Sequence, residues 1–296
     1  AVQALNRGAK LGGFAHHTGE GGIADQHLEG GDLIWQIGTG YFGCRNADGT
    51  FSPELFKERA AKDNVKMIEI KWSQGAKPSK GGILPGEKVT PDIAKARGVQ
   101  PGEDCISPPT HSAFSTPREF LGFISLLKDL SGGKPVGFKL CVGEPSEVMA
   151  LGKAMAEAKE KGEYDKLPDF ITVDGAEGGT GSAPPEYADH VGMPLEMGLN
   201  YVHNTLVGFG LREDIKLIAS GKVVNAFNLF EKLAMGADAA ASARGFMFAL
   251  GCIQSLSCAN NDCPAGIATQ DPRLRKGLFV ENKLERVFNY HHAVIK

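Results

Sequence analysis

The chain has 296 residues, 42% of them hydrophobic, and a formal net charge of −3 at pH 7. This length is close to the roughly 250 residues of a single α/β barrel, and charges of both signs are interspersed, which argues against nucleic-acid binding. The longest apolar stretch, around residues 246–253, is far too short to span a bilayer, and no secretory signal is visible. We therefore expect a cytoplasmic protein with no membrane segment.

Short apolar segments alternate with helical patterns along most of the chain. Seven segments have the pattern of strands: Gly13–His17, Val65–Lys71, Asp104–Ser107, Val136–Val142, Phe170–Asp174, Ile215–Ser220 and Ala237–Ala241. Helical patterns lie between them: Pro117–Leu130, Pro145–Lys161, Pro194–Phe209 and Val223–Met235. This alternation predicts parallel βαβ units, and it favours a barrel over a doubly wound sheet because no Gly-x-Gly-x-x-Gly turn follows the first strand. The chain opens in a helical pattern, so we expect a (β/α)8 TIM barrel without its first strand, in a single domain over residues 1–296.

Three long stretches without a helical pattern each follow a predicted strand: Thr18–Ala61, Ser73–Thr90 and Gly175–Met193. Loops this long inside a compact domain are usually functional, and the active site of a barrel forms at the carboxyl ends of its strands. Within the first stretch, Leu33–Cys44 is rich in Ile, Trp, Tyr and Phe around two glycines, which predicts a hairpin. The three stretches therefore mark the predicted mouth of the barrel.

The most specific motif is formed by Cys252, Cys258 and Cys263, with Pro264 directly after the last cysteine, in a loop over about residues 250–272. Thiolates this close in sequence can hold iron, and proline after a cluster cysteine recurs in bacterial ferredoxins. A zinc site would normally show more closely paired cysteines or nearby histidines. Three ligands suit a 3Fe-4S cluster, and the alternative is three buried cysteines without a redox role.

A glycine-rich segment, Asp174–Gly181, begins where the predicted strand from Phe170 ends. Its glycines let backbone amides approach a flat ring or an anion closely, although a tight turn is an equal alternative. Ser220-Gly221-Lys222 and Ser242–Gly245 follow the last two predicted strands. Because barrels often bind phosphate in the loops after their last two strands, these segments together predict a site for a phosphorylated cofactor.

Several cations lie at or near the predicted strand ends. Lys139 lies inside an apolar strand and needs a negative partner there, which a reduced flavin or a structural carboxylate would supply. Lys71 and Lys77 flank Gln74, and Arg97 follows after another loop. Cations that converge on a barrel mouth favour a dicarboxylate substrate, and solvation at the surface is the alternative.

With these residues identified, the sequence resembles the FMN-binding synthase domain of glutamate synthases, particularly the shorter stand-alone proteins that carry it. The resemblance covers nearly the whole chain in the right order. The matching stretches are His17–Gly22, Gln74–Pro78, Gly81-Gly82, Leu84–Gly86, Ile106–Pro109, Asp174–Gly181 and Leu250–Asp271. The cysteine set and the Gln-Gly-Ala-Lys-Pro run are its specific parts, whereas the glycine pairs alone are not.

The resemblance implies a (β/α)8 barrel with FMN and a 3Fe-4S cluster side by side. It implies that electrons come from a ferredoxin or an NADPH-oxidising subunit, and that 2-iminoglutarate, formed from 2-oxoglutarate and ammonia, is reduced to glutamate. By matching position, the cluster ligands would be Cys252, Cys258 and Cys263. The residues implied to hold FMN are Gln74, Lys139, Asp174, Gly178, Gly179, Thr180, Ser220, Gly221, Ala243 and Arg244. Lys77 and Arg97 would bind the carboxylates of the keto acid, and Glu20 would lie near the reacting carbon.

The chain departs from the family in three ways, one of which is the expected absence of the first strand, which in the family contributes to the flavin site. Members that make glutamate usually have Gln after the Gly-Gly of the substrate loop, and this chain has Ile83. Because isoleucine cannot donate a hydrogen bond to a keto acid, an N-methylglutamate synthase-like reaction, or an FMN oxidoreductase or isomerase with another substrate, stays open. The chain contains no cysteine amidotransferase domain, so glutamine hydrolysis would need a separate subunit, or free ammonia would serve. An electron-transfer subunit without its own substrate is the remaining alternative, which the long substrate-type loops disfavour.

Overall fold

The structure, a computed structural model, describes residues 1–77, 81–179, 181 and 183–296. Its strands are β1 His16–His17, β2 Leu33–Ile37, β3 Val65–Lys71, β4 Ile83–Leu84, β5 Cys105–Ile106, β6 Val136–Leu140, β7 Phe170–Asp174, β8 Lys216–Ser220 and β9 Ala239–Ala241. Its helices are α1 Val2–Gly12, α2 Pro53–Ala60, α3 Pro91–Arg97, α4 Pro117–Leu130, α5 Pro145–Glu160, α6 Leu195–Gly208, α7 Ala226–Ala234, α8 Arg244–Leu250, α9 Pro272–Arg275 and α10 Val280–Ile295. None of the helices in these ranges is both long and apolar enough to cross a bilayer.

Within the residues that the structure describes, seven strands form one parallel sheet in the order β1-β2-β3-β6-β7-β8-β9. Helices α2, α4, α5, α6 and α7 each connect two strands that are neighbours in this sheet. The sheet curls with the helices outside it, which is the α/β-barrel architecture that the sequence predicts. All seven carboxyl ends therefore lie on one side of the sheet, where the loops that follow them can meet.

Side chains along the strands alternate between an apolar layer and the barrel interior. On β3, Ile68 and Ile70 are fully buried in the main hydrophobic core, together with side chains of the outer helices. Glu69 lies between them and faces the interior instead, where it meets side chains of β2 and β7. The β3–β6 register pairs Lys71 with Lys139, so both cations lie at the same level near the carboxyl ends.

The helices begin where local capping signals are strong, as α4 illustrates. The Thr116 side chain accepts a hydrogen bond from the backbone N–H of Glu119, whose own side chain accepts from the Thr116 N–H. Pro117 occupies the first helical position, where its missing N–H costs nothing. Such a capping box typically stabilises a helix by about 1 kcal/mol, which explains why the helix begins at Pro117 as predicted. The predicted end at Leu130 is also confirmed.

Three expectations about the strands and loops are wrong. The segment predicted as a strand over Asp104–Ser107 is no part of the barrel, because β5 pairs antiparallel with β4 outside the main sheet. The hairpin predicted for Leu33–Cys44 is instead a single strand, β2, inserted in parallel between β1 and β3. The long stretch Thr18–Ala61 also contains helix α2, which Ser52 caps. Apolar periodicity is the same for a hairpin strand and a parallel strand, so only the partners decide between them.

The first and last helices pack on each other. Gly8 of α1 lies directly against Val287 of α10, since a Cβ on Gly8 would come within 2.4 Å of the valine Cγ1. Helix α10 also contacts α8, whose first residue follows the loop after β9. The C-terminal helix thus reaches the loops that close the carboxyl side of the sheet.

Candidate active site

A cavity of about 400 Å³ lies at the carboxyl ends of β3, β6, β7, β8 and β9. This volume falls in the range of sites for small molecules and cofactors, roughly 300–1,000 Å³. The described members of the predicted cofactor set all line it: Gln74, Lys139, Asp174, Gly178, Gly179, Ser220, Gly221, Ala243 and Arg244. Thr180 of that set lies outside the described residues. Cys252, Cys258 and Cys263 line the same cavity, so the fold brings the two predicted sites together.

A buried polar network lies beside this cavity in the barrel interior, and sequence reasoning missed its centre, Glu69. This carboxylate is 2% exposed; the ring Nε2 of His17 and the amide Nε2 of Gln36 lie 2.8 and 2.6 Å from its Oε1. The Thr172 hydroxyl donates to its Oε2 at 2.5 Å. Burial opposes the ionisation of Glu69, but His17, Lys139 and Thr172 outweigh it and lower its pKa to about 2. The sequence contains a signal for Glu69, because it is a charged residue between two apolar residues of a strand, the same pattern that indicates Lys139.

Lys139 has a protein partner in the structure. Its Nζ lies 3.3 Å from Asp174 Oδ2, and the aspartate is almost fully buried. Asp174 also accepts hydrogen bonds from the Gly75 N–H at 2.8 Å and from the Ser220 hydroxyl at 2.7 Å. Burial disfavours the charge on Lys139, but the fields of Asp174 and Glu69 are stronger and raise its pKa. A cation held in this way is fixed at the cavity wall before any ligand arrives.

The glycine-rich segment after β7 is packed against the segment after β3. A Cβ on Gly75 would lie 1.6 Å from the Gly175 carbonyl oxygen, and one on Gly179 would lie 2.7 Å from the Ala76 Cβ. Gly179 also has φ +101 and Gly221 has φ +136, a backbone region that suits glycine. These glycines therefore allow two loops to touch as well as exposing backbone to the cavity.

Gln74 has a buried donor that no described atom satisfies. Its Oε1 accepts a hydrogen bond from Lys71 Nζ at 2.7 Å, whereas its Nε2 is buried and has no hydrogen-bond partner in the described part of the chain. An unsatisfied buried donor is costly, about 1–3 kcal/mol. Because Gln74 lines the large cavity and a smaller one beside it, a ligand atom in either would relieve that cost.

The smaller cavity, about 20 Å³, has room for roughly one water-sized molecule and shares Lys71 and Gln74 with the large one. Glu20 and Lys77, two of the predicted catalytic residues, line it. Lys71 Nζ lies 3.1 Å from Glu20 Oε2, and burial lowers the pKa of Lys71. Gly81, Gly82 and the segment Ser107–Pro109 also line this cavity.

Arg97, the third predicted catalytic residue, is not in the lining of either cavity. Its guanidinium lies over the Phe42 ring, 4.7 Å from the centroid, and its Nη1 is 3.4 Å from Cys105 Sγ. A Cβ on Gly21 would lie 3.3 Å from its Nη2, so Arg97 packs against the backbone next to Glu20. The structure thus brings Glu20 and Lys77 together and places Arg97 behind the segment that carries Glu20.

One histidine that sequence reasoning did not select, His111, holds the wall of the smaller cavity. Its Nε2 lies 2.8 Å from the Lys71 carbonyl oxygen, and its Nδ1 lies 3.0 Å from the Tyr41 hydroxyl. Burial lowers the pKa of His111 to about 4, so the ring is neutral at pH 7. The Thr39 hydroxyl donates to the Pro108 carbonyl at 2.6 Å and ties the same wall to the end of β2.

The cysteine loop forms the remaining wall of the large cavity. All three thiols are free, and no group of three or more His, Cys, Asp or Glu side chains in the described ranges is arranged to hold a metal ion. Burial raises the pKa of Cys263, but the backbone N–H groups of residues 265–268 outweigh it and lower that pKa overall. Lys88 donates to the carbonyls of Cys258 and Ala268 at 2.7 and 3.1 Å, which ties the loop to the segment after β4.

Fold and site together define an α/β-barrel protein with a ligand cavity at the carboxyl ends of its strands, walled partly by a cysteine loop. The family model described as a conserved region in glutamate synthase matches residues 1–296, and the chain belongs to this family.

Curated relatives agree with this assignment. A glutamate synthase large subunit-like protein of Bacillus subtilis (strain 168) is 47% identical over 292 residues, which cover 98% of this chain and 54% of that protein. An archaeal glutamate synthase (NADPH) of Methanocaldococcus jannaschii is 37% identical, over 92% of this chain and 49% of that one. An archaeal-type glutamate synthase (NADPH) of Thermotoga maritima is 34% identical, over 99% and 54%. The chain therefore spans about half the length of these relatives.

Solved structures with similar folds are more distant in sequence. An arginine-to-lysine variant of flavocytochrome b2 superposes with a TM-score of 0.54 at 13% identity, covering 99% of this chain and 58% of that one. A double variant of flavocytochrome b2 with pyruvate bound gives a TM-score of 0.52 at 11% identity, covering 99% and 59%. At these identities the likeness concerns the fold alone.

Proposed function

We propose that this chain is the FMN-dependent barrel of a glutamate synthase-type oxidoreductase, which reduces the imine of 2-oxoglutarate and ammonia to glutamate. The observation that carries the proposal is the shared wall of the two cavities. Lys71 and Gln74 separate a cofactor-sized cavity from a small one lined by Glu20 and Lys77. The family membership and the glutamate synthases among the relatives support the same reaction.

The residues of the large cavity fit FMN. The Nε2 of Gln74, which has no hydrogen-bond partner among the described residues, offers a donor to a ring heteroatom, and the buried cation Lys139 offers positive charge for a reduced flavin ring. At the other end, Arg244 lines the cavity without an ion pair to any described residue, and Gly221 exposes backbone beside it. These two suit a phosphate in the loops after the last two strands. FMN, when bound, supplies hydride transfer to the substrate carbon.

The residues around the small cavity suit a keto acid and its imine by their charges. The cavity itself, about 20 Å³, holds only a water-sized group, so the rest of the substrate would lie in the adjoining large cavity. Of the two cations predicted to bind carboxylates, Lys77 lines this cavity, so we assign a substrate carboxylate to Lys77. Glu20, oriented by Lys71 Nζ at 3.1 Å, presents a carboxylate that suits the positive charge of a protonated imine. Arg97 would act at a distance, by supporting the backbone next to Glu20.

The cysteine loop fits an iron–sulfur cluster by its donor set. Three thiols line one side of the large cavity, and the backbone N–H groups around Cys263 favour the thiolate that iron requires. We propose that Cys252, Cys258 and Cys263 hold a 3Fe-4S cluster, which passes electrons from a ferredoxin or an NADPH-oxidising subunit. A separate amidotransferase subunit or free ammonia would supply nitrogen.

A second candidate function is the same type of reaction with a different nitrogen source or a different substrate. Ile83 is 67% exposed on β4, and its cross-strand partner Ile106 is 62% exposed. This apolar pair adjoins Gly82 and Ser107 of the small cavity and would favour an alkylamine over ammonia, as in an N-methylglutamate synthase-like reaction. A relay subunit without a substrate is disfavoured, because it needs no cavity lined by Glu20 and Lys77.

The deciding experiment is anaerobic purification with flavin and iron quantitation, followed by assay of the reduced protein with 2-oxoglutarate and either ammonia or methylamine. We expect FMN and about three irons per chain. Cys258→Ser should lose the iron, whereas Cys44→Ser, which alters a fully buried cysteine of the core, should keep it. FMN without iron in the unaltered protein would contradict the cluster and favour an isomerase or reductase.

Lys77→Ala tests the substrate assignment separately. Loss of a charge-assisted contact should weaken 2-oxoglutarate binding by about 1.5–3 kcal/mol, or roughly 10- to 100-fold in KM, with flavin content unchanged. Lys95→Ala, which removes an exposed lysine paired with Asp25 on the outside, is the matched control. An unchanged KM for 2-oxoglutarate in Lys77→Ala would contradict the assignment of a substrate carboxylate to Lys77.

A further inference from the structure

The loops after β8 and β9 are connected by two hydroxyl groups, that of Ser242 and that of Tyr290 in the C-terminal helix. The Tyr290 hydroxyl donates to the Val224 carbonyl at 3.0 Å and lies 2.9 Å from Ser242 Oγ. Ser242 Oγ in turn lies 2.7 Å from the Val223 carbonyl oxygen. The two hydroxyl protons can form only two of these three contacts as hydrogen bonds at one time: Tyr290 donates to Val224, and Ser242 donates either to Tyr290 or to Val223.

The tyrosine hydroxyl is seated against backbone. A Cβ on Gly245 would lie 1.8 Å from the Tyr290 hydroxyl oxygen, so the hydroxyl occupies the space that any larger residue would fill. The tyrosine ring meets the Phe246 ring edge-on, with centroids 4.9 Å apart. Burial raises the pKa of Tyr290, which is the direction expected for a hydroxyl enclosed by protein. The side chain is thus fixed in a single position between the loops.

The two loops joined by Tyr290 are the two sides of the proposed phosphate site. Gly221 and Lys222 directly precede Val223 and line the large cavity. On the other loop, Ala243 and Arg244 directly follow Ser242 and line the cavity as well. A change in the distance between these loops would move both sides of the phosphate site at once.

We infer that Tyr290 is a positioning residue for the phosphate of the cofactor, acting by holding the Val223–Val224 and Ser242 segments together; the inference rests on the proposed FMN function. The ring-side residues Gln74 and Lys139 belong to β3 and β6 segments that Tyr290 does not touch. The role is therefore specific to the phosphate end of the ligand.

Two ligands that differ only in the phosphate test this role. The full-length protein is freed of flavin and titrated with FMN and, separately, with riboflavin. Tyr290→Phe keeps the packing on Phe246 and removes the hydroxyl. It should weaken FMN binding about three- to tenfold, the effect of one or two lost hydrogen bonds, and leave riboflavin binding unchanged. Tyr201→Phe is the matched control, because it removes a tyrosine hydroxyl that donates to the Pro145 carbonyl at 3.0 Å, far along the chain from these loops.

A second variant tests the same inference independently if Tyr290→Phe has only a small effect on FMN binding. Gly245→Ala places a methyl group where the hydroxyl lies and should reduce FMN affinity more strongly than Tyr290→Phe, again with little change for riboflavin. Equal losses for both flavins, or unchanged FMN binding in both variants, would overturn the inference while leaving the FMN proposal intact. If the unaltered protein binds neither flavin, the proposed function itself fails.

Discussion

Two walls of the large cavity are held in different ways. The strand wall carries Lys139, Asp174 and Ser220, whose polar atoms are bonded across neighbouring strands in a fixed register. The cysteine wall, residues 252–270, contains no helix or strand, and Gln254, Leu256 and Asn261 adopt positive φ angles in it. Non-glycine residues in that region cost energy and persist only where surrounding contacts enforce them. The strand wall is therefore set by the fold, whereas the cysteine wall depends on a few tethers such as Lys88.

The largest effect should come from removing the centre of the strand-borne network. Glu69→Ala leaves Gln36 and Thr172 without their acceptor and Lys139 with one acidic neighbour fewer. Removing one partner of a buried charged pair typically costs about 3–5 kcal/mol. We expect a loss of that size in the free energy of unfolding, measured by denaturant titration. Glu163→Ala is the control, because its pair with Lys166 is only partly buried, with side chains 39% and 34% exposed, and should contribute about 1 kcal/mol or less.

Acid titration sharpens the same comparison. The folded pKa of Glu69, about 2, lies below its usual value of 4.5, so its contribution to stability is complete above pH 4.5. That contribution should be lost progressively as the pH falls from 4.5 toward 2. Glu69→Gln removes the titrating group, and the gap in stability between it and the unaltered protein should close over this range. A constant gap would contradict the ionised state of buried Glu69.

A smaller effect is expected at the wall of the small cavity, which His111 holds. The folded pKa of His111, about 4, is below its usual 6.5, so the folded state resists protonation and loses stability as the pH falls through this interval. For one such group, the free energy of unfolding changes by up to about 1.4 kcal/mol per pH unit. His111→Gln should be less stable than the unaltered protein at pH 7.5 and approach it by pH 4.5. His292→Gln changes an exposed histidine and should show no such convergence.

The sequence predicted the strand wall better than the rest of the site. Lys139 and Asp174 lie on strands whose first residues, Val136 and Phe170, are predicted by their apolar runs, and the shared edge of a parallel sheet brings the two side chains together. The strand that carries Lys139 ends at Leu140, two residues before its predicted end. Glu69 also lies between apolar residues of a strand, but it was not among the predicted site residues. The positions of Arg97 and of the β4–β5 pair are harder to predict from the sequence, because they depend on contacts between loops that are distant in sequence, such as Arg97 with Phe42. No local periodicity encodes such contacts.

Substitution of Lys88 should have the smallest effect on the stability of the whole fold. It is also the most informative test of the cysteine wall. Lys88 is 9% exposed, and its ammonium donates to two carbonyls of the loop, those of Cys258 and Ala268. Lys88→Met keeps most of the aliphatic volume and removes both bonds, each worth about 1.5–3 kcal/mol when the donor is charged. Because the loop contributes little to the main hydrophobic core, we expect the barrel to unfold at nearly the same denaturant concentration.

The loop itself should respond strongly in Lys88→Met. We expect faster proteolytic cleavage within residues 252–270 and less iron retained per chain after anaerobic purification, with FMN content nearly unchanged. Lys95→Met, on the neighbouring helix α3, removes an exposed ion pair with Asp25 and should leave cleavage and iron as they are. If Lys88→Met instead lowered global stability and iron together, the loop would be part of the cooperative barrel, and the distinction between the two walls would fail.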